Sequence, residues 1–404
     1  MPHPPTHATV GKHAAGRVGD VRRQNLALVL GGIHRNGGVT RARLAADIGL
    51  TKASVSSLVA DLLGAGLVRE DSIARDGERG RPGTGLVLNP ARGALAAEIS
   101  VDHLAVGVLD LAGDLLFQES VERRNRGSAP ADLLPLLVEM TGRAAIAAAA
   151  SGVELLGGEL TVPGLVDAER NMVLAAPNLG WTGVDLSTEL PGLLPGAPFG
   201  VSLSNEANSA ALAELWHGHG ATFSDFLYVS GEVGVGGGLV IDSRLYAGPQ
   251  GHAGEIGHMV VHPDGPRCAC GGRGCLEAFA GQDAIYSAAG IEQEGRRMER
   301  LLERLADGDE GAVSAVERAG QYLGIAVAST ARVANISAVV LGGHFAALED
   351  WIAPALCRSL ERYAPGLIPA GNVAFSGLGQ TAALVGAAAT TVRRILGRPY
   401  ELIS

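Results

Sequence analysis

Between Glu255 and Glu277 the chain carries one imidazole, His258, and three thiols, Cys268, Cys270 and Cys275. Zinc in four-coordinate structural sites takes neutral His and deprotonated Cys, so these residue types in one short segment suit a tetrahedral metal site. Gly271, Gly272 and Gly274 allow the tight backbone turns that bring close-spaced thiolates together. The segment therefore reads as a structural zinc site with a carboxylate at each edge, Glu255 and Glu277. Three of the four cysteines lie here, and no signal-peptide pattern precedes them, so a disulfide framework is not expected. The fourth, Cys357, is expected as a buried core thiol.

Such a loop needs a scaffold, and 404 residues are too many for one ordinary core; two or three domains are expected. No run of about 18 apolar residues appears and the start of the chain has no apolar stretch, so no membrane span or secretory signal is expected and the cytoplasm is the default location. The formal charge of −10 is unevenly spread: residues 1–90 hold 12 Arg and Lys against 7 Asp and Glu, while the remainder holds 20 against 35. A basic head on an acidic body suits a head that approaches phosphates and a body that does not.

After a tail over residues 1–18 rich in Pro, His and Gly, expected to be disordered, Val21 to His34 has apolar residues at helical spacing (Leu26, Leu28, Val29, Ile33) and breaks at Gly37-Gly38. Thr40 is placed to cap a helix from Arg41 to Ile48, and Thr51 to cap a second running to about Leu63. Ala45, Gly49, Val55 and Leu58 occupy the positions where a helix-turn-helix needs a small crossing residue, a left-handed turn and two apolar anchors. Arg41, Thr51, Lys52, Ser54, Ser56 and Ser57 supply flexible or short polar groups for base edges and phosphates. A strand from Gly66-Leu67-Val68, a charged Gly-rich hairpin over Arg75 to Gly85 and a return at Leu86-Val87-Leu88 make a wing. Its tip carries Arg79 and Arg81, suited to a narrow minor groove. Residues 19–90 are thus expected to form a winged helix-turn-helix domain that binds DNA.

From Ala94 apolar strands alternate with longer helical stretches, an α/β rhythm. Expected strands include Leu104 to Leu109, Asp114 to Val121, Val153 to Val162, Phe199 to Leu203, Phe226 to Ser230 and Gly236 to Ile241. Expected helices include Ala131 to Ala150, Glu206 to His217, Ala312 to Asn335, Leu348 to Tyr363 and Thr381 to Leu396. Two similar α/β halves with a cleft between them is the economical architecture.

The segment from Val233 to Glu277, with Pro163-Gly164-Leu165-Val166-Asp167, Pro177-Asn178-Leu179-Gly180-Trp181, Asn205-Glu206-Ala207-Asn208 and Gly342-Gly343, resembles the ROK family of sugar kinases and sugar-responsive repressors. With the winged helix in front, the whole chain is similar to the family's repressor branch. The resemblance implies an actin-like, hexokinase-like two-lobed ATPase-type fold over residues 91–404, with the zinc loop at 255–277, and a homodimer or homotetramer. It also implies that Gly164, Asn205, Glu206, Glu255, His258 and Glu277 ring a sugar, His258 holding metal through one ring nitrogen and facing ligand with the other. Second-shell support of the zinc loop, or surface ion pairing, is the plainer reading of Glu255 and Glu277. His103, His262 and His344 have no ligand-like partners in sequence.

Kinases of the family carry two Gly- and Thr-rich phosphate turns, and here both differ. The first reads Glu98-Ile99-Ser100-Val101-Asp102 and the second Gly231-Glu232-Val233, each with an added acid that would repel a triphosphate. Glu206 stands where family kinases have the aspartate base, and an extra methylene displaces a carboxylate by roughly 1 Å, enough to lower a rate about a hundredfold. The expectation is a DNA-binding regulator that senses a sugar without catalysis; the alternatives are a sugar kinase with a DNA-binding head and a constitutive dimeric DNA-binding protein.

Overall fold

The computed structural model describes residues 18–73, 83–292 and 295–403, which divide into two compact units. One runs to Asn89 and includes the stretch from Arg394 onward; the other is Pro90 to Arg393. The body was expected to reach residue 404, but the terminal 3-10 turn Pro399–Leu402 packs on the first helix of the head, where the Arg23 guanidinium lies 5.2 Å from the centre of the Tyr400 ring. The expected tail, except for Val18, lies outside the described residues, as do Arg79 and Arg81 at the wing tip.

In the head, α1 (Val18–Asn36) packs against α2 (Arg41–Ile48) and α3 (Lys52–Gly64), followed by the antiparallel pair β1 (Val68–Ile73) and β2 (Gly83–Leu88). Thr40 and Thr51 cap α2 and α3 through their side chains, and Gly49 turns the chain at φ +70°, a left-handed conformation that favours glycine. Ala45, Val55 and Leu58 are buried, as a helix-turn-helix requires. Leu28, expected on the core face of α1, is 50 % exposed; Leu26, Val29, Leu30 and Ile33 make the buried stripe instead, and Leu28 falls to its side.

The body repeats one sheet topology twice. Its first sheet contains β3 (Arg92–Ile99), β4 (His103–Asp110), β5 (Leu115–Glu122), β6 (Glu154–Val162) and β10 (Val201–Asn205). The order is β10-β6-β3-β4-β5, antiparallel from β3 to β5 and parallel from β3 to β10. Between β6 and β10 a small antiparallel sheet of β7 (Leu165–Asp167), β8 (Met172–Ala176) and β9 (Trp181–Asp185) is inserted. The second large sheet contains β11 (Phe226–Gly231), β12 (Val235–Ile241), β13 (Arg244–Leu245), β14 (Val339–Gly343) and β15 (Val373–Phe375). Its order, β13-β12-β11-β14-β15, has the same sequence of antiparallel and parallel pairings. Strand β10 starts two residues later than expected because Gly200, at φ +58°, turns the chain first.

Helix α4 (Pro130–Ala150) is the one described helix long and apolar enough to cross a membrane, yet it lays Leu133, Leu137, Met140 and Ala144 against β3, β4 and β5. The helices Glu206–His217 and Ala382–Gly397 meet backbone to backbone: a Cβ at Gly386 would stand 1.7 Å from the Ser209 carbonyl oxygen and 2.5 Å from its carbon. Gly386→Ala is therefore expected to destabilise the protein by about 1–3 kcal/mol, read as a lower urea midpoint. An unchanged midpoint would show that the two helices do not approach this closely.

Candidate functional site

The metal loop folds around its own backbone. Cys268 N–H donates to the Gly272 carbonyl at 3.0 Å, Gly271 N–H returns to the Cys268 carbonyl at 3.0 Å, and Gly272 N–H points at the Cys270 sulfur at 3.4 Å. Gly274 sits at φ +71°, where a Cβ would be 1.8 Å from the His262 carbonyl oxygen, so only glycine lets the strand-like return to Cys275 close. The result brings the donor atoms of His258, Cys268, Cys270 and Cys275 within 4.8 Å of one another. Cys270 and Cys275 sulfurs are 3.8 Å apart, and Cys268 Sγ is 3.7 Å from His258 Nδ1. A tetrahedron with metal–sulfur bonds of about 2.3 Å has edges of roughly 3.7 Å, so the cluster can hold a metal ion through Nδ1 and three thiolates. Cys357, by contrast, is half-buried and remote from this set.

Two carboxylates tie this loop to its surroundings. His258 Nε2, turned away from the thiols, is 4.0 Å from Glu255 Oε2. Glu277 Oε1 is 3.6 Å from Cys268 Sγ, while Oε2 accepts the Val235 N–H at 3.2 Å and the Asn178 amide at 3.4 Å. Gly234 leaves room for this arrangement, because a Cβ would lie 2.3 Å from Glu277 Oε2 and displace the carboxylate.

All six residues expected to ring a ligand, Gly164, Asn205, Glu206, Glu255, His258 and Glu277, line one cleft of about 980 Å³, measured out to open solvent. Two of them face each other more than the cleft. The Asn205 amide donates to the Gly164 carbonyl at 2.7 Å, and its Oδ1 caps the following helix by accepting the Asn208 N–H at 2.8 Å. Asn205 thus fixes Gly164, with one N–H and one lone pair left for a ligand. Gly164 holds φ +96°, where a Cβ would strike the Ala175 carbonyl at 2.3 Å.

The opposite end of the cleft is crowded with acids. Glu98, Glu206 and Glu232 line it beside His103, for which the sequence suggested no partner. His103 Nδ1 is 2.8 Å from Asp102 and Nε2 is 3.4 Å from Glu98. The β3–β4 hairpin brings these groups together, a tertiary pairing with no local motif. Burial by itself would lower the imidazole, but the hydrogen bonds and charges of Asp102 and Glu98 raise it to about 11. Burial works to raise Asp102, yet contact with His103 outweighs it and holds the carboxyl low. Burial, then the charges of Asp102 and Glu98, push Glu232 up to about 8, and burial with the charges of Glu98 and Glu232 lifts Glu206 well above the usual carboxylate range. Burial likewise raises Glu255. His344 is buried after the second sheet's central turn, its Nε2 donating to the Ala280 carbonyl at 3.1 Å, and burial lowers it to about 4. Its ring fills the space over Gly231, where a Cβ would meet it at 2.5 Å.

In the head, Lys52, Ser54 and Ser57 are exposed on α3. Thr51 Oγ1 is engaged in accepting the Ser54 N–H at 3.1 Å, and Ser56 Oγ donates back to the Lys52 carbonyl at 2.8 Å. Arg41, expected to meet DNA, is ion-paired with Glu70 at 2.6 Å.

A duplicated five-stranded α/β body with a polar cleft, preceded by a winged helix-turn-helix, defines a two-lobed protein of the actin-like, hexokinase-like class with a DNA-binding-type head. The chain belongs to the ROK family, whose profile matches residues 94–394, and residues 27–78 match the MarR family. It is 30% identical to a xylose repressor of Bacillus subtilis (strain 168), over 80% of this chain and 82% of the relative. A crystal structure of a ROK family transcriptional regulator, described as a homologue of the E. coli Mlc protein, superposes with a TM-score of 0.79 at 25% identity, covering 95% of this chain and 99% of that one. A ROK family glucokinase from Streptomyces griseus, in complex with glucose and AMPPNP, is 26% identical with a TM-score of 0.65, covering 74% of this chain and 98% of the enzyme.

Folded Glu232 keeps its proton up to about pH 8, whereas the unfolded group ionises near 4.5, so its contribution to stability is lost as pH rises through that window. Glu232→Gln, neutral throughout, is expected to gain at least roughly 2 °C in melting temperature over the wild type between about pH 6 and about pH 9. A constant difference across that range would mean that Glu232 ionises normally.

Proposed function

We propose that this chain is a DNA-binding transcriptional regulator, a repressor, whose body binds a sugar effector beside a structural zinc ion and does not phosphorylate it. The observation that carries this reading is a winged helix-turn-helix joined to a ROK body whose cleft is lined by Glu98, Glu206 and Glu232 and, among the described residues, by no Lys or Arg. Phosphoryl transfer needs donors and cations on the triphosphate, and acids at both turns oppose it. His344, packed over Gly231, and the Glu232 carboxylate beside Gly343 further narrow the second turn. A relative named as a xylose repressor and a solved structure named as a transcriptional regulator agree with this assignment.

In the effector reading, Glu255, Glu277 and Glu206 accept hydroxyl donors, and His258 Nε2 faces the sugar while Nδ1 holds zinc. Zinc when bound would fix the ring's orientation; Glu255 and Glu277 join that ring to the cleft wall. Binding alters operator affinity to the extent that the sugar prefers one arrangement of the lobes. The exposed start of α3, with Lys52, Ser54 and Ser57, is the element assigned to the major groove, with Arg79 and Arg81 of the wing assigned to the minor groove. The assembly is a homodimer or homotetramer acting in the cytoplasm on a two-fold operator.

A glucokinase of the same family, solved with glucose and a nucleotide analogue, favours sugar kinase as the second reading. Incubation with ATP and a sugar panel is expected to give no sugar phosphate; turnover abolished by Glu206→Ala would establish the kinase. Lys52→Ala is expected to weaken operator binding and to flatten the dependence of log affinity on log salt by about one unit. An unchanged slope would remove Lys52 from phosphate contact. Cys270→Ser should lose zinc and sugar affinity together, by metal analysis and calorimetry; intact sugar affinity without zinc would separate the metal from recognition.

A further inference from the structure

The acids at the far end of the cleft carry an unresolved demand for positive charge. Glu98 is 2 % exposed, and while Oε1 faces His103, Oε2 is buried without a hydrogen-bond partner. At this end of the cleft His103 is held between Glu98 and Asp102, and Arg297, whose charge reaches Asp102, is itself paired with Asp283 at 2.9 Å. Glu206 makes no side-chain hydrogen bond among the described residues, and Glu232 has only the Ser230 hydroxyl at 3.5 Å. Glu98 Oε2 is thus a buried carboxylate oxygen without a donor, a costly arrangement, and the half-buried Glu206 and Glu232 set two further carboxyls beside it.

We infer that this end of the cleft is a subsite for a primary ammonium group, so that the effector carries an amine and is an aminodeoxy sugar. The inference rests on the sugar-effector reading above and deepens it. An ammonium offers three N–H donors to groups that only accept when ionised, and its charge restores the ionised state of Glu206 and Glu232. A hydroxyl would supply one donor and no charge. A phosphorylated sugar would meet the acids with like charge. A metal ion fits less well: among the described residues, only the donors of His258, Cys268, Cys270 and Cys275 converge closely enough to coordinate one.

Calorimetry on the zinc-loaded full-length protein, with glucose, xylose and the monoaminodeoxy derivatives of each, tests the subsite. At least one amine isomer is expected to bind about tenfold or more tighter than its parent, an advantage of about 1.4 kcal/mol. Glu98→Gln and, separately, Glu232→Gln should bring that ratio towards one, with zinc content and melting confirming that each variant is folded. A parent sugar that binds while no amine isomer gains would overturn the subsite and leave the sugar sensor standing, as would an amine preference unchanged in both variants. Binding by no sugar, with or without an amine, would overturn the sensor reading and the subsite together.

Discussion

Much of the body's cleft depends on where Glu277 sends its two oxygens. One faces the thiols and the other receives the Val235 N–H and the Asn178 amide, so a single carboxylate joins the metal loop, the β11–β12 hairpin and the small inserted sheet region. Gly234 must lack a side chain for the carboxylate to come so near. Gly257 and Gly274 are constrained too, since the Val235 and His262 carbonyls lie where their Cβ atoms would otherwise stand. Metal donors and cleft wall are therefore one mechanical piece, and a shift in either is felt by the other.

The far end of the cleft is governed by charge confinement. Acids that repel one another are held at close range by the hairpins, with His103 as their one built-in counter-ion. The protein tolerates this by keeping Glu206 and Glu232 protonated further into the neutral range than free carboxyls would be. Such a pocket carries less negative charge than its number of carboxyls suggests, and a positive group entering it would draw Glu206 and Glu232 towards their ionised forms.

The long, strongly periodic elements were legible from the chain: α4 and the helix Glu310–Ala334 fall within about two residues of expectation, because an amphipathic repeat over many turns is a redundant signal. Strands β7 to β9 were not, since runs of three to five residues between glycine turns carry too few alternations. The metal donors could be read because their spacing is local. His103 could not, since its meaning lies in the fold of a hairpin that returns it to Glu98. Asn205 was legible as a cleft residue, but its grip on the Gly164 carbonyl joins positions 41 residues apart. Arg41 shows the converse limit: its charge was visible, its partner Glu70 on the neighbouring strand was not.

The repetition of one sheet order in both halves of the body sets the charge of the cleft from two sides. The β3–β4 and β11–β12 hairpins hold equivalent places in the two repeats, and each contributes an acid to the cleft: Glu98 from one, with Asp102 paired to His103 beside it, and Glu232 from the other. Neutralising the acid of one hairpin alone would leave the other's charge in place, so no single substitution makes a neutral path for an anion. The two repeats therefore set the charge of the cleft jointly, and altering what it accepts takes a change in each.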